Sequence, residues 1–305
     1  MIILTNCSGF FSNFFKVLNW ELINHGNTII VPYFITRSVK ELTCTYSNID
    51  RHIYPERENI WELMFCPIRE YKKIQLNDQK NIFAWDYPKY NNWGQTFPYP
   101  LNQFKWGYIF CNYSIYVHPL LPKIREVYHN CYKKFKWTQY LNTHIENNLK
   151  IIPNPKKTVA VFIRYQAHYN NLNLDKDYQI NKIIEELKVV MENYDNLFLV
   201  TIIKPYIDKI KNIFGDKVCF LSDKNISETE NHDWGGFHDA KKGVYIPDKK
   251  LDYKKECVQC FTDVYLASTC DYILGGSSNM FLGALIINPT VKFKILDIFK
   301  EINGA

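Results

Sequence analysis

The sequence predicts an α/β fold built from parallel strands that are covered by helices on both faces. The chain has 305 residues, which at roughly 150 residues a domain suggests two domains. It opens with a strand, a loop, a helix and a second strand, the usual start of a doubly wound domain. Its second half repeats short apolar strands without polar alternation, separated by helices. Such strands are buried on both faces, so a doubly wound sheet is predicted in each half.

The first half begins with a predicted strand at Ile2–Thr5. Apolar residues then recur at helical spacing between residues 14 and 22, and a second strand is predicted at 28–31. An aromatic stretch that also contains prolines, at 83–108, is predicted to be a loop region. One long helical segment is predicted at 122–148.

A break that contains two prolines marks the predicted domain boundary. Pro153 and Pro155 interrupt the helical pattern, and an apolar strand restarts directly after them. The predicted domains therefore cover residues 1–153 and 154–305. The stretch between 222 and 252 is rich in His, Gly and Asp and is expected to be irregular. In the second domain, strands are predicted at 158–163, 197–202, 218–221 and 272–274, and helices at 179–193, 205–214, 253–268 and 279–287.

Charge and cysteine content restrict the partners and the compartment. The formal net charge is +6, but the lysines occur as scattered pairs, and no basic stripe or nucleic-acid motif is present. We expect a solvated surface or a cleft that attracts an anionic ligand, and no nucleic-acid partner. Nine cysteines, an odd number, and an N-terminus without a signal-peptide pattern favour the reducing cytoplasm. No apolar run reaches about 18 residues, so no transmembrane segment is expected.

The first candidate site follows the strand predicted at 158–163. Arg164 comes directly after this strand, and ligands of parallel sheets bind at the carboxyl ends of the strands. Its guanidinium carries forked donors that match two oxygens of a diphosphate; an ordinary surface arginine is the alternative. His168 follows closely and would supply a cation to phosphate or act as a general base, with an ordinary loop histidine as the alternative.

The second candidate site follows the strand predicted at 272–274. Two glycines, Ser277 and Ser278 lead into a helix that begins at Asn279. Backbone N–H groups and hydroxyls would point to one spot beside the positive end of that helix, which is a phosphate-binding arrangement. The alternative is that the glycines form a tight turn and one of the serines caps the helix. The two interpretations are compatible.

The residues before this helix resemble a known motif. Asp263, Ser268 and Asp271 precede the pair Ser277-Ser278 in the order of the last donor-binding motif of the fucosyltransferase superfamily, with one residue fewer before the serines. That superfamily includes the nodulation fucosyltransferases, the α-1,6-fucosyltransferases and the protein O-fucosyltransferases.

Other segments resemble the same family in the expected order. Residues 162–164 take the place of its His-x-Arg motif, and 198–201 together with 214–218 resemble its strand–helix–strand segment. The stretch from 9 to 13 resembles the glycine-rich first loop, and 59–65 resembles a segment common in bacterial and viral relatives. The resemblance covers most of the chain.

The resemblance implies a GT-B-like fold, in which two Rossmann-like doubly wound domains face a cleft, with the acceptor side in 1–153 and the nucleotide-sugar donor in 154–305. It implies inverting transfer of a sugar, fucose from GDP-fucose before other nucleotide sugars, to a glycan or another hydroxyl acceptor. No metal and no cofactor besides this donor are expected, because GT-B enzymes generally stabilise the leaving diphosphate with protein donors. The stretch at 83–108 would then stack on sugar rings or pack between the domains. A relative that binds a nucleotide or a glycan without catalysis is the alternative, and for a viral protein the compartment would be the host cytoplasm.

The resemblance also implies roles for single residues. Arg164 would hold the β-phosphate of the donor, Ser277 and Ser278 the pyrophosphate, and Asp263 the guanine edge. Arg164 and His168 are the expected catalytic residues. The other expected donor-binding residues are Gly9, Asn13, Phe162 and Asn279.

The strand-end motif departs from the family pattern at three places. Phe162 replaces its histidine, Tyr165 its second arginine, and Gln166-Ala167 the usual Thr-Asp. Because a phenylalanine stacks on a base without hydrogen-bonding it, this motif leaves the identity of the base open. No single carboxylate stands out as the general base. The candidates are Glu21, Asp233 and Asp239.

Overall fold

The computed structural model describes residues 2–5, 10–23, 29–34, 58–69, 82–84, 113–163, 177–224, 226, 237–239, 244–246 and 253–296. The chain forms two compact units, each assembled from three stretches. Unit 1 comprises Met1–Phe110, Pro119–His144 and Asp233–Val258, and unit 2 comprises Cys111–His118, Ile145–His232 and Gln259–Ala305. The boundary expected after residue 153 remains a prediction.

The described strands and helices alternate along most of the chain. The strands are β1 (Ile2–Thr5), β2 (Ile30–Tyr33), β3 (Ile82–Ala84), β4 (Thr158–Phe162), β5 (Asn196–Val200), β6 (Val218–Cys219), β7 (Phe237–Asp239), β8 (Val244–Ile246), β9 (Tyr272–Gly276) and β10 (Lys292–Leu296). The helices are α1 (Phe10–Ile23), α2 (Ile60–Met64), α3 (Tyr113–Tyr116), α4 (Leu121–Tyr132), α5 (Gln139–Leu149), α6 (Tyr178–Val190), α7 (Lys204–Phe214), α8 (Tyr253–Thr269) and α9 (Asn279–Ile287).

Unit 1 contains a parallel sheet with the strand order β2-β1-β3. The strand–helix–strand start predicted from the sequence is confirmed, with β2 beginning at Ile30. Helix α1 contributes an aromatic core centred on Phe14, which is fully buried. The ring centroids of Trp61, Phe65 and Phe135 each lie 6.1 Å from that of Phe14. Large aromatic side chains of this kind supply most of the apolar area that stabilises such a core.

The prediction of a single long helix at 122–148 is wrong, because a non-helical segment, 133–138, separates α4 from α5. Trp137 forms a β-bridge with Phe65 in this break. The backbone N–H of Thr138 donates to the carbonyl of Met64 at 3.0 Å, and its hydroxyl accepts the N–H of Leu141 at 3.3 Å. Thr138 therefore starts a new helix in the manner of an N-cap.

Unit 2 contains a five-stranded sheet in the order β10-β9-β4-β5-β6, and all neighbouring strands are parallel. Every residue of β4 is buried, as expected for a strand that is covered on both faces. The α/β class and the parallel sheet are confirmed. Helices α6 and α7 pack on this sheet through a core that includes Ile183, Leu187, Tyr206 and Ile210.

The order of these strands creates a topological switch point between β4 and β9. From β4, the chain moves outward on one side to β5 and then β6. It later places β9 on the opposite side of β4 and continues outward to β10. In sheets of this kind ligands bind in the crevice at the carboxyl ends of the two strands that flank the switch point.

Two expectations about strands need correction, and one strand was not predicted. The glycine pair after 274 belongs to β9, where Gly275 and Gly276 pair with Ile295 and Leu296, so it does not form a tight turn. β10 was not predicted. Its two lysines alternate with apolar residues, in contrast to the apolar strands expected in this domain. The stretch expected to be irregular contains the antiparallel pair β7-β8.

No helix among the described residues is both long enough and apolar enough to cross a lipid bilayer.

Candidate functional site

The candidate site lies at the switch point of the unit 2 sheet. β4 ends at Phe162, which is in register with Gly275 of β9. Ile163 continues from β4 and donates its backbone N–H to the carbonyl of Val200 at 3.1 Å. Both sequence motifs therefore leave the sheet at the same edge, from two adjacent strands. The fold thus brings together the two chain segments that the sequence singled out.

The two strands approach each other most closely at Gly275. A Cβ atom at this position would lie 2.7 Å from the carbonyl oxygen of Phe162 and 2.9 Å from its Cβ. No ordinary side chain fits there without a shift of the β4 backbone. The glycine is therefore needed for the close approach of the two strands.

Ser278 caps the helix that follows β9. Its backbone is extended and its hydroxyl accepts the N–H of Phe281 at 3.1 Å, so the capping role considered for the serines holds for Ser278. Helix α9 then begins at Asn279 and runs for nine residues. The other N–H groups of its first turn lie at a positive helix end, next to the carboxyl end of β9. Ser277 lies between strand and helix.

Tyr116 supports this helix start from a distant part of the sequence. Its hydroxyl donates to the carbonyl oxygen of Ser278 at 3.1 Å, and its ring meets that of Phe281 at a centroid distance of 5.5 Å. No sequence pattern indicates Tyr116, because 162 residues separate it from Ser278.

Phe162 is buried beneath the site. It is 4% exposed, and its ring packs nearly perpendicular to that of Phe281 at 5.6 Å. The position that carries a histidine in the family motif therefore contributes to the apolar core here. It offers no hydrogen bond to a ligand.

Asp263 forms a buried ion pair that the sequence did not reveal. The Nζ atom of Lys224 donates to Oδ2 of Asp263 at 2.8 Å, and the two side chains are 3% and 4% exposed. Oδ1 of Asp263 is buried and has no hydrogen-bond partner. Burial raises the pKa of Asp263, the ammonium of Lys224 opposes this increase, and the Asp223 carboxylate adds to it.

Two other residues of the fucosyltransferase-like motif, Ser268 and Asp271, form contacts at the amino end of β9. Asp271 precedes β9 and accepts hydrogen bonds through Oδ2 from the Tyr194 hydroxyl at 2.8 Å and from Lys292 at 3.2 Å. The bond from Tyr194 is the main reason why the pKa of Asp271 is lowered. Ser268 donates its hydroxyl to the carbonyl of Tyr265. Ser268 and Asp271 therefore act at the amino end of β9, away from the ligand edge.

Helix α8 carries a second buried carboxyl group, that of Glu256. Burial raises the pKa of Glu256 to about 7, and its Oε2 atom has no hydrogen-bond partner. Glu256 lies in the first turn of the helix. The sequence does not single out Glu256, since a glutamate in a first helical turn is an ordinary feature.

The remaining predicted residues are distributed as follows. Asn13 lies in unit 1, in the first turn of α1, and is 1% exposed. Glu21 is engaged in an ion pair, because both of its carboxylate oxygens lie 3.0 Å from Nη1 of Arg69. Burial raises the pKa of Glu21, and Arg69 opposes the increase. Asp239 is the last residue of β7. Gly9, Arg164, His168 and Asp233 lie outside the described residues.

Comparison with known proteins finds similarity at the level of structure. No protein-family model matches the chain, and no curated protein matches it. A crystal structure of NodZ α-1,6-fucosyltransferase soaked with GDP-fucose superposes with a TM-score of 0.50 at 10% identity, covering 97% of this chain and 95% of that one. Selenomethionine fucosyltransferase NodZ from Bradyrhizobium gives 0.50 at 11% identity, covering 97% and 94%. The chain therefore has a fucosyltransferase-like fold over nearly its whole length.

Proposed function

We propose that the chain is an inverting glycosyltransferase of the GT-B type that transfers a sugar from a nucleotide sugar, with GDP-fucose as the first candidate donor, to a hydroxyl group of a glycan or another acceptor. One observation carries the proposal. The Ser278-capped start of α9 lies at the switch point of a parallel sheet, in a chain whose fold resembles that of a fucosyltransferase crystal soaked with GDP-fucose.

The proposed chemistry requires stabilisation of the departing diphosphate. Negative charge builds on this group as the bond to the sugar breaks, and preorganised donors lower the barrier most effectively where charge develops. The first-turn N–H groups of α9 and the hydroxyls of Ser277 and Ser278 are the proposed donors on the β9 side. Although Ser278 accepts a hydrogen bond from Phe281, its hydroxyl proton remains able to donate. Arg164 is the proposed donor on the β4 side, since it is bonded to Ile163.

The other predicted residues keep proposed roles. Asp263 would accept a hydrogen bond from the nucleobase, and Asn279 and Phe162 would shape the site around the diphosphate. Gly9 and Asn13 keep the donor-binding role that the resemblance implies, and His168 would act as a second cation or as the general base.

The proposal also covers the setting of the reaction. The donor would bind in 154–305 and the acceptor in 1–153, in the cytoplasm, without a metal ion. The odd number of cysteines, nine, supports the proposed reducing compartment.

A test of the proposal has two stages. First, GDP, UDP, CDP and their sugars are compared by thermal shift and calorimetry; GDP and GDP-fucose are expected to bind most tightly. Second, the chain is incubated with radiolabelled GDP-fucose and a panel of glycans, and both release of GDP and transfer of label are measured. If none of these nucleotides binds, the proposed function is wrong. If UDP-sugars or another GDP-sugar bind and turn over instead, the glycosyltransferase activity stands and the fucose assignment fails.

One observation favours a second candidate, a non-catalytic relative that binds the nucleotide. Phe162 is committed to the core through Phe281, so the strand end lacks a polar group where the family motif has a histidine. Such a relative would bind GDP with ordinary affinity and release no GDP from GDP-fucose, with or without acceptor.

A further inference from the structure

The buried ion pair of Lys224 and Asp263 leaves one carboxylate oxygen unused. Lys224 contacts Oδ2 at 2.8 Å, whereas Oδ1 is enclosed and makes no hydrogen bond. A buried acceptor without a partner is costly, and such atoms are rare in folded proteins. An N–H group supplied by a ligand would satisfy Oδ1.

Stability alone does not explain why the pair is present. Two charges lose their hydration when they are buried, and their mutual attraction repays this cost only in part. Apolar residues of similar volume are often as stable in such positions. A buried pair with one oxygen left over is therefore better suited to orienting a carboxylate than to holding the fold together.

The segment that carries Lys224 is fixed to α8 at two neighbouring points. Gln259 lies one helical turn before Asp263 on the same face of α8. Its amide Nε2 donates to the backbone carbonyl of Asp223 at 2.7 Å and approaches the Asp223 carboxylate at 3.3 Å. This segment follows β6 at the carboxyl end of the sheet. Lys224 is thus held at a defined position on the edge where parallel sheets bind ligands.

We infer that Lys224 is a positioning residue of the donor site, which occupies Oδ2 of Asp263 and thereby leaves Oδ1 as the acceptor for an N–H group of the nucleobase. This inference rests on the proposed function. The ammonium also lowers the pKa of Asp263 against the effect of burial and so favours the carboxylate, which is a stronger acceptor than a neutral acid. Asp223 and Lys224 are the charged groups that act on Asp263 among the described residues, and they do so with opposite sign.

The test compares the pH dependence of GDP binding in the wild type and in Lys224→Met, which keeps the length of the side chain and removes its charge. Without Lys224, burial and Asp223 raise the pKa of Asp263 further. Affinity for GDP is expected to fall by about tenfold or more near neutral pH, and to recover toward higher pH as Asp263 ionises. Lys224→Arg, which restores a cation, is expected to bring the pH profile back toward that of the wild type.

Lys204→Met is the matched control, because it removes a lysine from an exposed ion pair with Asp208. It is expected to leave both affinity and pH profile unchanged. An unchanged profile in a folded Lys224→Met protein, or a loss of affinity that is equal at every pH, overturns the inference while the proposed function stands. A wild-type chain that binds no nucleotide overturns both.

If Lys224→Met does not fold, the double variant Lys224→Met/Asp263→Asn is used instead, because it removes both buried charges. The pH dependence of GDP binding is measured in the same way. The GDP affinity of the double variant is expected to lose the pH dependence of the wild type. Persistence of that dependence would mean that a group other than Asp263 causes it, which also overturns the inference.

Discussion

The hydroxyl of Tyr116 donates a hydrogen bond to the backbone carbonyl of Ser278 at 3.1 Å, across 162 residues of sequence. The same ring packs edge-on against Phe281, whose backbone N–H the Ser278 hydroxyl accepts. Tyr116 therefore holds the capping residue and the first turn of α9 together. The orientation of the N–H groups proposed to face the diphosphate depends on this contact.

Tyr116→Phe keeps the ring and removes only the hydroxyl. We expect a stability loss of about 1 kcal/mol and a reduction of kcat by about tenfold, because misaligned donors stabilise the leaving diphosphate less well. Tyr128→Phe is the matched control. It deletes a hydroxyl that donates to Oδ1 of Asn19 at 2.6 Å within unit 1. A similar loss of stability without loss of turnover is expected there, and equal kinetic effects in both variants would contradict the role given to Tyr116.

Arg164 is the residue whose replacement is expected to affect catalysis most. Loss of one transition-state donor typically costs about 10²–10³ in turnover, so Arg164→Ala should remove most activity. Arg164→Lys should recover little, because lysine offers a point charge without the planar fork. The fold, which rests on Val159, Val161 and Ile163 at the sheet centre, should persist by circular dichroism. A well-folded Arg164→Ala protein with full activity would place the donor site on another strand.

Gly275→Ala tests the close approach of β9 to β4. The added Cβ would lie 2.7 Å from the carbonyl oxygen of Phe162, and overpacking of this kind costs about 1–3 kcal/mol. Denaturant unfolding should show this loss, together with weaker nucleotide binding, since the strand ends at the switch point must separate. Gly215→Ala serves for comparison. It places an alanine at φ 58, where no atom lies within 4 Å of the added Cβ. The variant should therefore be less stable because of backbone strain, and its nucleotide binding should be unchanged.

Glu256 predicts a pH dependence of stability. Its pKa is raised from 4.5 to about 7 by burial, so the folded chain retains a proton that the unfolded chain has released. The contribution is fully present below about pH 4.5 and is lost as the pH rises to about 7, by up to about 3 kcal/mol. Glu256→Gln should remove this slope and be more stable than the wild type above pH 7 in urea unfolding. The exposed Glu192→Gln is the control, and parallel curves for wild type and Glu256→Gln would refute the assignment.

Local sequence patterns predicted the elements that have a single clear signal. β4 and β5 are apolar runs of the length of a strand, and α9 begins at Asn279 directly after its serine cap, as the capping chemistry of serine requires. The rule for parallel sheets placed the ends of β4 and β9 at the carboxyl end of the sheet, whereas their adjacency is seen only in the structure. Each of the signals for β4, β5 and α9 is contained within a few consecutive residues, so these elements could be predicted without knowledge of tertiary contacts.

Features that depend on distant contacts were not predictable in this way. The break between α4 and α5 depends on the bridge of Trp137 to Phe65, and the residues around it have acceptable helical propensity on their own. The partner of Asp263 is a lysine 39 residues earlier, one of many in a lysine-rich chain. The sequence suggested that Phe162 stacks on a nucleobase. Its place in the core is visible only in the structure, where its ring packs against Phe281.

The membership of Cys111–His118 in unit 2 restricts how the protein can be divided for expression. A fragment that begins at residue 154 would retain β4, β9 and α9 but would lack Tyr116. The Ser278 carbonyl would then lose its hydroxyl donor, and Phe281 would lose one of its ring neighbours while keeping Phe162. A stable nucleotide-binding fragment would have to carry residues 111–118 as a tethered or added peptide. Complementation of the two pieces in solution would then report directly on the docking of Tyr116.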